Sequence, residues 1–250
     1  MARVVVPEYP HHVTQRGVRS MNVFFSDEDR LEYLRLMREQ CDRFGLHVLS
    51  YCLMDNHVHF VVVPAREESL ARAIGEAHRL YTRMVNFRDG VRGFLFQGRF
   101  FSCPLDEAYL LACVRYVERN PVRVLGGIRH AWDYRWSSAR YRLGLEKTDP
   151  LLEAGGKMAQ YFRLLASDLH WKSLRSKEED EDVVQTLLKK TRTGRPCGND
   201  LFVERMEQMT GRTLKPQKPG PKTQDSTNAA ADSGQRRNAG PRKKSAGKKV

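Results

Sequence analysis

The tripeptide His57-Val58-His59 runs directly into the apolar stretch Phe60-Val61-Val62-Val63. In an extended strand alternate side chains share a face, so both imidazoles emerge on one side and Val58 on the other. Two ring nitrogens that close can hold one divalent metal. Polar rings in so apolar a run need that reason or hydrogen-bonded burial. A second pair is Tyr116 and Asn120, four residues apart and therefore one turn apart on a helix face. A phenol can act as a nucleophile and a carboxamide as an oxygen donor. Yet Tyr109, Leu110, Cys113, Val114 and Val117 give the same segment a core stripe that Tyr116 can simply flank, and Asn120 before Pro121 also reads as a helix terminator. On residue types alone, both pairs stay open between chemistry and packing.

The elements that must position these residues follow from periodicity. Residues 27–44 place Leu31, Leu34, Met37, Cys41 and Phe44 at helical spacing, with Ser26 as a cap and Gly45 as a stop. Residues 46–54 and 57–63 read as strands joined by a tight turn at Asp55-Asn56. A helix is expected over 69–88, a strand near 94–103, and a helix from Asp106 to Asn120 ended by Pro121. With an early strand at 11–18 the order is β-α-β-β-α-β-α. The expected fold is α+β and ferredoxin-like, a split βαβ with helices on one face of an antiparallel sheet. Beyond residue 125, Trp132, Tyr134 and Trp136 are candidates to close the core. Residues 158–170 and 200–210 read as short helices, separated by the acidic run 178–182 as a solvated loop or helix start.

The 250 residues are 40% hydrophobic, enough for a core, and carry a formal charge of +13 that favours a polyanionic partner. Five widely spaced cysteines (41, 52, 103, 113 and 197) with no C-x-x-C pair point to reduced, buried thiols rather than a zinc ribbon or disulfide framework. The short Val4-Val5-Val6-Pro7 run is no signal-peptide core, and no apolar run approaches the ~20 residues of a membrane span. The expected location is the cytoplasm. From Lys215 to Val250, Pro, Gly, Ser, Ala and Asn dominate, and ten Lys or Arg face two Asp. That segment is expected to be a disordered basic tail, either solubilising or a non-specific nucleic-acid arm.

Taken together, Tyr51-Cys52-Leu53-Met54-Asp55-Asn56-His57-Val58-His59-Phe60, then Phe96-Gln97-Gly98-Arg99-Phe100, then Tyr116-Val117-Glu118-Arg119-Asn120-Pro121-Val122-Arg123, resemble the REP-associated tyrosine transposases. These are single-tyrosine members of the HUH (His-hydrophobic-His) nucleases. His12-Val13-Thr14-Gln15-Arg16-Gly17 and Trp136-Ser137-Ser138 fit the same pattern, so the resemblance spans roughly residues 5–145. It implies a nucleoid-associated DNA transposase with endonuclease and strand-transfer activity, cleaving single strands at palindromic, hairpin-forming sites through a covalent phosphotyrosine. His57 and His59 then match the metal ligands, Tyr116 the nucleophile and Asn120 the third ligand, where related insertion-sequence enzymes use the longer Gln. The implied metal is magnesium or manganese, although imidazole donors on their own favour later transition ions. Arg16, Arg99, Arg115, Arg119 and Arg123, with Arg19, Arg79 and Arg83, are candidates for tracking DNA phosphates.

The implied organisation is a transposase domain over 1–145, a helical region over 146–214 and the tail over 215–250. Two competing readings stand beside it. One is a domesticated, non-catalytic single-stranded nucleic-acid-binding protein of the same fold. The other is a metal hydrolase of small phosphoesters, against which the basic tail argues.

Overall fold

The computed structural model describes residues 3–153, 155–166 and 180–215. The tail beyond Lys215, Glu178 and Glu179 of the acidic run, and residues 167–170 of the expected helix at 158–170 lie outside the described residues.

Four strands, β1 (His11–Arg16), β2 (Leu46–Met54), β3 (His57–Pro64) and β4 (Phe101–Pro104), form one antiparallel sheet in the order β2-β3-β1-β4. Helices α1 (Asp27–Phe44) and α2 (Ser69–Arg88) complete a split βαβ, and α3 (Glu107–Val124) follows β4. The chain is therefore α+β, with the element order expected from periodicity. Helix α1 has the boundaries its caps dictate: Ser26 accepts from the Asp29 N–H, and Gly45 turns out of the helix at φ 65°.

The expectation that helices cover one face needs correction. Helices α1 and α2 do share a face, packing Tyr33, Met37, Ile74 and Tyr81 over Val13, Val58, Phe60 and Val62. Helix α3 covers the opposite face, where Cys113, Val114 and Val117 meet Leu49, Val61 and Val63. The sign of this was in β3, whose run from Val58 to Val63 lacks the apolar–polar alternation of a one-sided strand apart from His59. All eight of its residues are buried.

Two further corrections concern boundaries. The strand expected near 94–103 shortens to β4, because Gly93 and Gly98 take left-handed φ values of 126° and 60°. The preceding residues form a loop pinned by the Gln97 N–H on the Arg16 carbonyl at 2.8 Å. Pro121 does not end α3, which continues to Val124. Only the one backbone bond that the Pro121 nitrogen cannot donate is lost, and the Leu125 N–H closes the final turn on the Pro121 carbonyl at 2.9 Å.

Past α3, Trp136-Ser137-Ser138 adds to the free edge of β2: the Leu53 N–H donates to the Trp136 carbonyl at 2.9 Å and the Ser138 N–H to that of Tyr51 at 3.1 Å. Trp136 joins the core, as expected of it. Helices α4 (Ala139–Arg142), α5 (Ala159–Leu165), α6 (Glu181–Thr193) and α7 (Asp200–Thr210) follow. The acidic run supplies the start of α6, with Asp180 capping the Asp182 and Val183 N–H groups. Helix α6 packs on α3 and β4 through Val184 and Leu187. All five cysteines are buried and free, and among the described residues no helix is long and apolar enough to cross a membrane.

Candidate active site

Strand β3 delivers His57 and His59 to the face covered by α3, and α3 lowers Tyr116 and Asn120 onto them. The two imidazole centroids are 4.9 Å apart at 82°. The Tyr116 ring stands edge-on to His59 at 5.4 Å, and all four side chains are buried. Helix spacing and strand alternation thus bring the two pairs into one place.

Each histidine has one ring nitrogen committed. His57 Nδ1 lies 2.6 Å from Asn56 Oδ1. Asn56 is oriented by its own Nδ2, which donates to the Ser20 carbonyl at 3.2 Å, so its oxygen faces the ring and His57 Nδ1–H is the donor. The carbonyl is in place because the chain doubles back tightly after Gly17, where any Cβ would sit 2.2 Å from the Met21 oxygen. Arg19 and Ser20 then take left-handed φ values of 54° and 62°. His59 Nδ1 lies 3.2 Å from Nε2 of His12, a buried ring on neighbouring β1 whose plane is parallel to its own. What remains on both ligand candidates is Nε2.

Asn120 is the third candidate donor. It stands near enough to His57 to favour the charged ring, yet its Oδ1 is buried without a hydrogen bond of good geometry. An orphaned amide oxygen is costly unless something electropositive meets it. Burial, reinforced by the Arg16 cation, pushes His57 down to about 4. Burial and then the neighbouring His57 and His12 push His59 well below its usual range. Both rings are neutral at physiological pH, the form a metal requires. Among the described residues no three His, Cys, Asp or Glu side chains group to hold an ion. Two imidazole nitrogens with one amide oxygen are a donor set that fits a divalent cation with open positions.

The candidate arginines divide. Arg16 ends β1 opposite His57 and is exposed. Arg123, carried onto the same helix face by the continuation of α3 past Pro121, holds its guanidinium 5.4 Å over the Tyr116 ring. Arg115 is half-buried and Arg119 buried on α3. Arg99 is elsewhere, in the wall shared by two surface clefts of about 550 and 700 Å³ that none of the four central residues lines. Arg3 and Phe100 belong to both clefts, Arg192 and Arg195 to the first, and Arg79, Arg83 and Arg92 to the second.

Sequence reasoning missed several supports. His12 lay inside a quoted motif without a role, and Asn56 was only a turn residue. Thr191 carried no signal at all. Glu118 was equally silent. It is fully buried, ion-paired to Arg142 at 2.8 Å, and receives the Ser138 hydroxyl at 2.8 Å and that of Ser50 at 3.3 Å. A register shift between Val48 and Ser50 turns Ser50 toward α3, so this network ties α3 to β2 and to the Trp136-Ser137-Ser138 segment.

Residues 7–120 match the model of the family described as IS200-like transposases. Among solved structures the chain is similar to a REP-associated tyrosine transposase bound to a REP hairpin, at 14% identity and a TM-score of 0.49, over 63% of this chain and 92% of that one. No curated protein matches it.

Proposed function

We propose, taking residues 7–120 as an IS200-like transposase domain, that the protein is a metal-dependent single-strand DNA endonuclease and strand transferase. The observation that carries this reading is the set of donors gathered beside one phenol: the ring nitrogens of His57 and His59 that face away from Asn56 and His12, and the buried Oδ1 of Asn120, with the Tyr116 ring packed against His59. A bound magnesium or manganese ion supplies Lewis-acid polarisation of the scissile phosphate.

The chain's own residues do the rest. Tyr116, on a rigid helix, presents its phenol oxygen to phosphorus. Phenol is a weak nucleophile at its ordinary pKa of about 10, and the Arg123 guanidinium, 5.4 Å over the Tyr116 ring, puts a positive charge beside it to offset charge developing on the phosphate. As the new O–P bond forms, one ester P–O bond breaks and that strand leaves as a hydroxyl. Attack by a DNA hydroxyl on the phosphotyrosine reverses the balance and frees Tyr116, so strands are exchanged with no external energy source. Burial of the site by α3 limits competition from water.

Hairpin DNA is the proposed partner, and the two arginine-lined clefts are proposed to take single-stranded flanks. Arg3 and Arg99 join the clefts into one basic path, and Phe94, 90% exposed in the wall of the larger, offers a stacking face for an unpaired base.

The test is incubation with hairpin-bearing oligonucleotides and manganese, followed by denaturing gels and peptide mapping. Wild type is expected to form a covalent adduct on Tyr116, and Tyr116→Phe to bind the hairpin without forming it. Cleavage by Tyr116→Phe, or an adduct on Tyr109, overturns the assignment. Hairpin binding with no wild-type adduct in any divalent metal favours the non-catalytic binding protein.

A further inference from the structure

Helix α6 reaches the site from the far end of the chain. Thr191 in its last turn lies 2.8 Å from His12 Nδ1, and His12 Nε2 lies 3.2 Å from His59 Nδ1. Thr191, His12 and His59 are all buried. The direction of this chain of hydrogen bonds follows from the partners at its outer end. Thr191 Oγ1 also donates at 2.8 Å to the Leu187 carbonyl, which can only accept, and lies 3.3 Å from the Cys103 thiol, which can donate to it. With its hydrogen on the carbonyl, Thr191 Oγ1 is left to accept, and the arrangement that satisfies every partner puts the His12 hydrogen on Nδ1. His12 Nε2 is consequently bare and accepts from His59 Nδ1–H. His59 Nε2, on the opposite side of the ring, is left with its lone pair.

We infer that Thr191 and His12 are positioning residues that fix the tautomer of His59, so that helix α6 holds Nε2 of this ligand ready for a cation. Without the hydroxyl, His12 is free to carry its hydrogen on Nε2. That hydrogen faces His59 Nδ1, which must then accept, and the His59 hydrogen moves to Nε2, where it blocks metal. The same helix also touches the nucleophile's surroundings: Glu181 in its first turn is 3.7 Å from Arg123, whose guanidinium covers the Tyr116 ring. Core packing of Val184 and Leu187 sets the height of α6 above the sheet. The region after residue 145 thus has a part in the chemistry without supplying a ligand. Groups hydrogen-bonded behind a metal-binding imidazole commonly change affinity by 10–100-fold when removed.

The inference rests on the metal reading above, and the experiment separates the two. Long-range proton–nitrogen NMR of histidine-labelled, metal-free protein reads each ring's tautomer, and electron paramagnetic resonance of free Mn²⁺ reads affinity. Wild type is expected to show His59 with its hydrogen on Nδ1. Thr191→Val is expected to lose that single tautomer and to bind Mn²⁺ about tenfold more weakly, and Thr191→Ser to restore both. His12→Phe, which keeps a ring but offers no acceptor, is expected to resemble Thr191→Val. Wild-type tautomer and affinity in Thr191→Val, or no rescue by Ser, overturns the inference. Unchanged Mn²⁺ binding in His59→Ala overturns the metal reading instead, and the metal-free spectra still decide the role of Thr191.

Discussion

Replacing Asn120 with leucine separates a ligand from a structural amide. The orphaned Asn120 Oδ1 is buried with no hydrogen bond of good geometry, and such an atom carries a penalty of about 1–3 kcal/mol. Leucine has nearly the same shape and no polar atom. In chelator, Asn120→Leu is therefore expected to be at least as stable as wild type, with a gain of up to about 1–3 kcal/mol. Metal reverses the ranking. An ion at a hundred times its dissociation constant stabilises the native state by about 2.7 kcal/mol. For a chain of this size that raises Tm by about 5–10 °C. Wild type is expected to show this rise with Mn²⁺ and Asn120→Leu to lose most of it, together with adduct formation. Differential scanning fluorimetry in chelator and in Mn²⁺ provides all four values. A large loss of stability for the variant in chelator, or an undiminished Mn²⁺ rise, refutes the assignment of Asn120.

Glu118→Ala leaves Arg142 buried without its carboxylate, so a loss of about 3–5 kcal/mol is expected in urea unfolding; a loss under 1 kcal/mol contradicts the bracing role of this network. His11, His12 and His78 are pushed down by burial to about 4, about 3 and about 3. They fold neutral, so below the ordinary value of 6.5 the unfolded chain takes up protons that the native state excludes. Stability is therefore full above that pH and falls as pH drops toward 4, by about 1.4 kcal/mol per unit for each ring; equal urea midpoints at pH 7.5 and 5 contradict this. Truncation after Leu214 removes ten Lys or Arg and two Asp. It is expected to weaken hairpin binding and flatten its salt dependence without changing the preferred site, as read by fluorescence anisotropy in a salt series. Lost sequence preference with little lost affinity makes the tail a reader of sequence instead.

The sequence by itself determined what a few neighbouring residues can encode. Strand alternation put His57 and His59 on one face, helix spacing put Tyr116 and Asn120 on another, and Ser26 and Gly45 bounded α1, because each of these depends on backbone geometry within one or two turns. It misread Pro121, since one missing backbone bond near a helix end is offset by packing that local propensity does not contain. That continuation is what brings Arg123 over Tyr116. It also had no means of finding the contacts made at long range. His12 meets His59 across 47 residues and Thr191 across 179, and Arg3 shares a cleft wall with Arg192. These pairings follow from the strand order β2-β3-β1-β4 and from α6 packing on β4, which set β1 beside β3 and Thr191 beside β1. That His57 and His59 share a strand face and Tyr116 and Asn120 a helix face was legible in their spacing. The ring that stands behind His59, His12, was decided only by the tertiary structure, because strand order and not local spacing sets β1 beside β3.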